Sequence, residues 1–115
     1  MNAAEHRERA ARIERSIAKL APEDYEMAIE AAMLAGTHRL NAWLHEAGVT
    51  ESAADVLHTY MLVVNELRRL RVADAQRVDA LTAIEDLRPA FVRGDAPGGE
   101  AAAARAFELL AILRG

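Results

Sequence analysis

The sequence predicts an all-α protein, a compact bundle of four to five antiparallel helices that forms a single domain over residues 1–115. Alanine, the strongest helix former, accounts for 26 of the 115 residues. Aromatic residues make up only 4% of the chain, and β-branched residues never alternate with polar ones over the length of a strand. One hydrophobic core is expected, because cores do not usually divide below about 250 residues.

The first predicted helix covers about residues 3–20. Asn2 and Glu5 have the spacing of a capping box, in which each side chain satisfies a free backbone N–H of the other residue. Positions of the inward face then recur every three or four residues, which is the period of one helix face. These positions are His6, Ala10, Ile13, Ile17 and Leu20.

The second predicted helix covers about residues 22–47. Pro22 suits its first position, since the missing N–H would be unsatisfied there, and Gly48 suits a left-handed C-cap. Small residues occupy much of the circumference of this helix. They are Ala28, Ala31, Ala32, Ala35 and Ala42. Such a helix is expected to be covered on most sides, either at the centre of the bundle or at a subunit interface.

Three shorter helices are expected in the second half of the chain. The third opens at about residue 50 with a capping box of Ser52 and Asp55, and the fourth covers about residues 74–91, where Pro89 ends or kinks it. The last covers about residues 98–113 and buries Phe107 and Leu110. The inward stripe of the third helix comprises Leu57, Tyr60, Met61, Val64 and Leu67.

Charge and composition exclude several classes of function. The net charge of -4 has the wrong sign for a protein that coats nucleic acid or anionic membrane, so neither partner is expected. The absence of cysteine excludes disulfides, thiol catalysis and cysteine-ligated metals. No apolar run reaches the roughly 18 residues of a membrane span, and the charged N-terminus lacks a signal-peptide core. We therefore expect a soluble cytoplasmic protein without a cofactor.

The second helix carries the candidate ligand-binding residues. On a helical wheel Glu30, His38, Asn41 and His45 fall within a sector of about 80°. The two histidines lie two turns apart, so they could reach one ligand, and His58 on the next helix could join them. The alternative is a polar strip that water and the neighbouring helix satisfy.

A metal-binding site is the most specific function that these histidines suggest. Di-iron bundles require Glu-x-x-His pairs from two helices, and here only Asp55 and His58 have a comparable spacing. A di-iron site is therefore excluded, and the sequence assigns no metal. A mononuclear site formed by His38, His45 and His58 stays open as the basis of a metal-dependent hydrolase.

A stretch over about residues 25–65 resembles the small-residue helical hairpin of the HEPN-like domains of bacteria and archaea. The resemblance rests on the alanine spacing of the second helix, on His38, Asn41 and Gly48, and on a following helix with His58. It implies an all-α bacterial domain that is often dimeric. Active members cut RNA without metal through an Arg-x4-6-His motif, which Arg39 and His45 satisfy in spacing.

Two functions are compatible with these observations. The first is a small helical interaction module, a homodimer or a protein that binds another protein, which buries the alanine-rich part of the second helix or the exposed flank of the last helix. The second is an enzyme, either a metal-independent ribonuclease with Arg39 and His45 as catalytic residues or the histidine-based hydrolase. A non-catalytic binding or dimerisation member of the HEPN-like group is the reading we carry forward.

Overall fold

The computed structural model describes all 115 residues and contains four α-helices. They are Ala3–Ile17 (α1), Tyr25–Glu46 (α2), Val64–Glu85 (α3) and Gly99–Arg114 (α4). A single 3₁₀ turn spans Thr59–Met61 and a π-helical turn spans Pro89–Arg93, and the chain has no strand. The predicted all-α bundle is therefore confirmed. None of the helices combines the length and the apolar character that crossing a lipid bilayer requires.

Helix α2 is the central helix of the bundle and packs against α1, α3 and α4. Ten of its 22 residues are buried, including four of the five alanines of the predicted small-residue surface. At Gly36 an added Cβ would lie only 2.9 Å from Leu113 Cδ1 of α4, so the missing side chain permits this close approach. Of the two predicted positions for this small-residue surface, the centre of the bundle or a subunit interface, the structure shows the first: the other helices of the same chain cover it.

The predicted end of α2 is confirmed and its predicted start is wrong. Gly48 has a φ of 73° directly after the helix, which is the conformation that favours glycine at a C-cap. Pro22 precedes the helix rather than opening it, because the Asp24 carboxylate accepts the backbone N–H of Ala21 at 3.0 Å and holds residues 21–24 in a turn. The capping box of Asn2 and Glu5 is present at the start of α1.

The largest difference concerns the predicted third helix, because residues 47–63 are not α-helical. Asn41 donates to the Val56 carbonyl and accepts the Val56 N–H, both at 2.7 Å. The Glu85 carboxylate accepts the backbone N–H of Thr59 at 3.0 Å. Buried side chains thus satisfy backbone groups that a helix would have paired internally, and the capping box of Ser52 and Asp55 does not form.

Helix α3 combines parts of two predicted helices. It begins at Val64 and is interrupted at Asp74, whose non-helical backbone (φ -159°, ψ 77°) marks the predicted start of the fourth helix. The Asp74 carboxylate accepts the N–H of Arg77 at 3.2 Å and so caps the second half. The helix ends at Glu85, before Pro89, and in α4 Leu110 is buried as predicted, whereas Phe107 is 38% exposed, which corrects its inward assignment.

Candidate functional site

The polar side chains of α2 contact several different partners rather than one common site. Glu30 forms an ion pair with Arg88 at 2.7 Å. Arg39 makes two parallel hydrogen bonds to the Glu14 carboxylate of α1, at 2.7 and 3.1 Å. Each of these side chains has its own partner, and Glu30 is not among the donor groups that cluster with the histidines.

His45 belongs to a cluster that the sequence did not assemble. His6 of α1 and His45 of α2 both direct Nε2 to one carboxylate oxygen, Asp55 Oδ1, at 2.8 and 2.7 Å respectively. Their ring centroids lie 5.2 Å apart. We call His6, His45 and Asp55 the His–Asp centre. It joins the first helix, the central helix and the non-helical segment at one point.

The outer nitrogens of both imidazoles also have partners. His6 Nδ1 lies 2.9 Å from Nδ1 of His38, and His45 Nδ1 lies 2.8 Å from the hydroxyl oxygen of Thr50. A carboxylate only accepts hydrogen bonds, so both Nε2 atoms carry a proton, and when the rings are neutral both Nδ1 atoms accept. Every imidazole nitrogen of His6 and His45 is therefore engaged, and the two rings have little freedom to turn.

Burial differs between the histidines and the carboxylate of the His–Asp centre. The side chains of His6 and His45 are each 3% exposed, whereas that of Asp55 is 29% exposed. Partial burial opposes ionisation of Asp55, but hydrogen bonds from His45 and His6 outweigh it and lower the pKa of this carboxyl. The second carboxylate oxygen lies 3.6 Å from the nitrogen of Met1. The centre thus combines two enclosed imidazoles with an ionised carboxylate that reaches solvent.

His38 sits beside the centre in a neutral form. Its burial is the largest cause that lowers its pKa, and the nearby His6 and Arg9 side chains act in the same direction. A neutral imidazole has one N–H and one free lone pair, so His38 can donate to His6 or accept from it. His38 therefore acts as an adaptable hydrogen-bond partner of the His–Asp centre.

Asn41 and His58 have structural contacts instead of ligand-binding ones. Asn41 is 1% exposed, and its amide fixes the backbone at Val56, the residue after Asp55. His58 Nδ1 lies 3.1 Å from the Glu85 carboxylate on α3, away from the centre. The proposed triad of His38, His45 and His58 is therefore not brought together, since His58 has a different partner.

The non-helical segment also exposes a group of large apolar side chains. Eleven large apolar residues of the protein are exposed, and five of them lie within the eight residues 57–64. These five, which we call the apolar ledge, are Leu57, Tyr60, Met61, Val63 and Val64, with exposures between 62% and 72%. Four of them, Leu57, Tyr60, Met61 and Val64, were predicted to form a buried stripe with Leu67. The prediction is wrong for these four residues, because the chain before Val64 is not α-helical, whereas Leu67 packs against the core.

The motif proposed for ribonuclease activity is divided between two environments. Arg39 is held by Glu14, and its side chain is 15% exposed. His45, six residues later on the same uninterrupted helix, contacts Asp55 and Thr50. Six residues correspond to a rotation of about 120° between the two side chains. The two residues share no partner, and the ribonuclease assignment stays a prediction.

Sequence reasoning missed two of the three members of the His–Asp centre. His6 was counted as a position of the inward stripe of α1, and Asp55 as a helix cap. A signal for His6 was present, because a titratable ring at a buried helix position needs a polar partner. Asp55 gave no such signal, since its role depends on the non-helical course of residues 47–63.

Comparison of the chain with protein-family models, with curated proteins and with solved structures found no match.

Proposed function

We propose that the protein is a self-associating interaction module and that the apolar ledge is its contact surface. The observation that carries this proposal is the concentration of exposed apolar side chains in residues 57–64. Single exposed apolar residues are ordinary, but a contiguous group of them is typical of an interaction surface. Tyrosine and methionine, both present in the apolar ledge, are enriched at protein interfaces.

Contacts within the single chain fix the backbone of the ledge. Asn41 binds the backbone of Val56, directly before the ledge. The buried Glu85 carboxylate accepts hydrogen bonds from the N–H and the hydroxyl of Thr59, which lies between Leu57 and Tyr60 of the ledge. Tyr60 stacks on the ring of His58, with centroids 4.7 Å apart. A surface ordered in advance loses less conformational entropy on association. These contacts support a docking role for the segment.

The charge around the ledge favours a second copy of the chain as the occupant. Glu66, which follows the ledge, is paired with Arg69 at 2.6 Å, and Glu85 beneath it is buried. Neither of these two carboxylates beside the ledge is therefore free to attract a basic partner. In a two-fold dimer the same patch meets itself, so an uncharged apolar surface automatically receives a matching one. A homodimer is also what the HEPN-like resemblance implies.

Sedimentation velocity over a range of protein concentrations tests this proposal. We expect a dimer for the wild type and a monomer for the double variant Leu57→Ser, Met61→Ser. The matched control is Val72→Ser, because Val72 is 89% exposed on α3 outside the ledge and its substitution should leave the dimer intact. A monomeric wild type at every concentration would show that the ledge serves another partner or none. A ledge variant that stays dimeric would place the contact on a different face.

A further inference from the structure

We infer that the His–Asp centre is a binding site for one divalent transition-metal ion of the zinc type, with His6, His45 and Asp55 as its ligands. The inference is independent of the apolar ledge. It begins from the position of the donor atoms, which all lie within 4.8 Å of one another. Two imidazole nitrogens and one carboxylate oxygen are a donor set that zinc and similar ions prefer.

The two distances from the imidazole nitrogens to Asp55 require only a small opening of the cluster. Both Nε2 atoms now lie 2.7–2.8 Å from Asp55 Oδ1. Around a tetrahedral zinc ion, ligand atoms at about 2.0–2.1 Å from the metal lie about 3.3 Å from each other. The nitrogen–oxygen separations must therefore increase by roughly half an ångström. Asp55 can supply this movement, because it is the exposed member of the cluster and lies on a non-helical segment.

The outer partners of the imidazoles fit the metal-bound state as well as the metal-free one. When a metal takes Nε2, the ring proton resides on Nδ1, and a metal-bound histidine usually donates that proton to a fixed acceptor. Thr50 offers the acceptor for His45, as hydroxyl oxygen at 2.8 Å and carbonyl oxygen at 3.3 Å. His38 offers the acceptor for His6. Both acceptors are already in hydrogen-bond contact.

Metal binding requires no net gain or loss of protons by the three histidine rings. In the metal-free state the Nε2 protons of His6 and His45 point to Asp55, and His38 and the Thr50 hydroxyl donate to the two Nδ1 atoms. On metal binding each ring moves its proton from Nε2 to Nδ1, while His38 changes tautomer and the Thr50 hydroxyl turns to accept. All three rings stay neutral. Three protein ligands leave one position of a tetrahedral ion for water.

Titration of tag-free, chelator-treated protein with Co²⁺ and Zn²⁺ tests the site. We expect one equivalent of Co²⁺ to bind with the visible absorption of a four-coordinate ion, and Zn²⁺ to displace it. His58→Gln is the matched control, because His58 contacts Glu85 and should leave the affinity unchanged. Asp55→Asn should weaken binding by more than about 100-fold, and His38→Ala, which removes only an outer partner, by about 10- to 100-fold.

A second measurement needs no variant and so does not depend on how the variants fold. Nitrogen-15 NMR of the histidine rings of the wild type reports which ring nitrogen carries the proton. We expect His6 and His45 to change from the Nε2–H form to the Nδ1–H form when one equivalent of Zn²⁺ is added, with no change at His58. Absence of saturable Co²⁺ binding, equal loss of affinity in the His58→Gln control, or unchanged tautomers of His6 and His45 would each overturn the inference.

Discussion

At the scale of single residues, one amide determines the course of a whole segment. Asn41 makes three hydrogen bonds from a position that is 1% exposed, to the Thr37 carbonyl and to both backbone groups of Val56. Buried backbone groups require partners, and an unpaired one costs about 1–3 kcal/mol. Asn41 therefore fixes the backbone at Val56, with Asp55 in contact with His45 on one side and Leu57 exposed on the other.

Substitution of Asn41 should consequently destabilise the protein more than an average polar substitution. In Asn41→Ala the N–H and carbonyl of Val56 lose their partners, and we expect a loss of about 3 kcal/mol in the free energy of unfolding. Urea denaturation followed by circular dichroism measures it. Asn65→Ala is the matched control, because Asn65 is exposed at the start of α3, and its effect should stay within about 0.5 kcal/mol. Equal losses in both variants would remove the special role of Asn41.

At the scale of the helices, two glycines set how closely α4 approaches α2. Gly36 faces Leu113, and Gly99, the first residue of α4, lies under the ring of Tyr25, the first residue of α2. A Cβ on Gly99 would come within 2.3–2.6 Å of three atoms of that ring, far inside van der Waals contact. The starts of the two helices can therefore adjoin only because residue 99 has no side chain.

Replacement of Gly99 should separate these helix ends. We expect Gly99→Ala to reduce the free energy of unfolding by about 1–3 kcal/mol, since the whole tyrosine ring must move. A double-mutant cycle with Tyr25→Ala tests the cause, because without the ring the same Gly99→Ala change should cost little or increase helix stability. Thermal unfolding of the four proteins provides the measurement. Independent, additive effects of the two substitutions would contradict the proposed contact.

At the scale of the whole molecule, one carboxylate connects three of the four helices. Glu14 of α1 binds Arg39 of α2 and Arg114 of α4, at 2.7 and 3.2 Å. Its partial burial opposes ionisation, but the hydrogen bonds and charges of the two arginines lower its pKa from the ordinary value of 4.5. Because the folded pKa is the lower one, the stabilisation is complete above the unfolded pKa and is lost as pH falls through the folded one.

This linkage predicts how Glu14→Gln behaves with pH. At pH 7 the variant should be less stable than the wild type by about 2 kcal/mol, since it loses charge-assisted hydrogen bonds. The difference should begin to decline below about pH 4.5, where Glu14 of the unfolded chain takes up its proton, and it should be lost as pH falls through the lower pKa of the folded carboxyl. Urea midpoints of both proteins between pH 7 and pH 3 measure the difference. A gap that is constant with pH would mean that the charge of Glu14 is not what stabilises the contact.

The parts of the fold that were predicted correctly depend on local sequence, whereas the part that was predicted wrongly depends on contacts between residues distant in sequence. Helix α1 with its capping box, the C-terminal end of α2 at Gly48 and most of α4 were predictable, because local spacing and capping chemistry specify them. The third helix was predicted to begin at about residue 50, although residues 47–63 are not α-helical, because the competing partners Asn41 and Glu85 lie 15 and 26 residues away in sequence from Val56 and Thr59. No local pattern reports such partners.

The candidate site shows the same division. His38 and His45 were singled out from their helical spacing, and both contact His6 or Asp55 in the structure. His6 and Asp55 were not, since they meet His45 only when α1 and the non-helical segment pack against α2. Composition and periodicity by themselves determined the all-α class, because that class follows from local backbone preference and from the apolar face of each helix. Only the tertiary structure decided the His–Asp centre and the apolar ledge, because both depend on side chains distant in sequence that satisfy the backbone of residues 47–63.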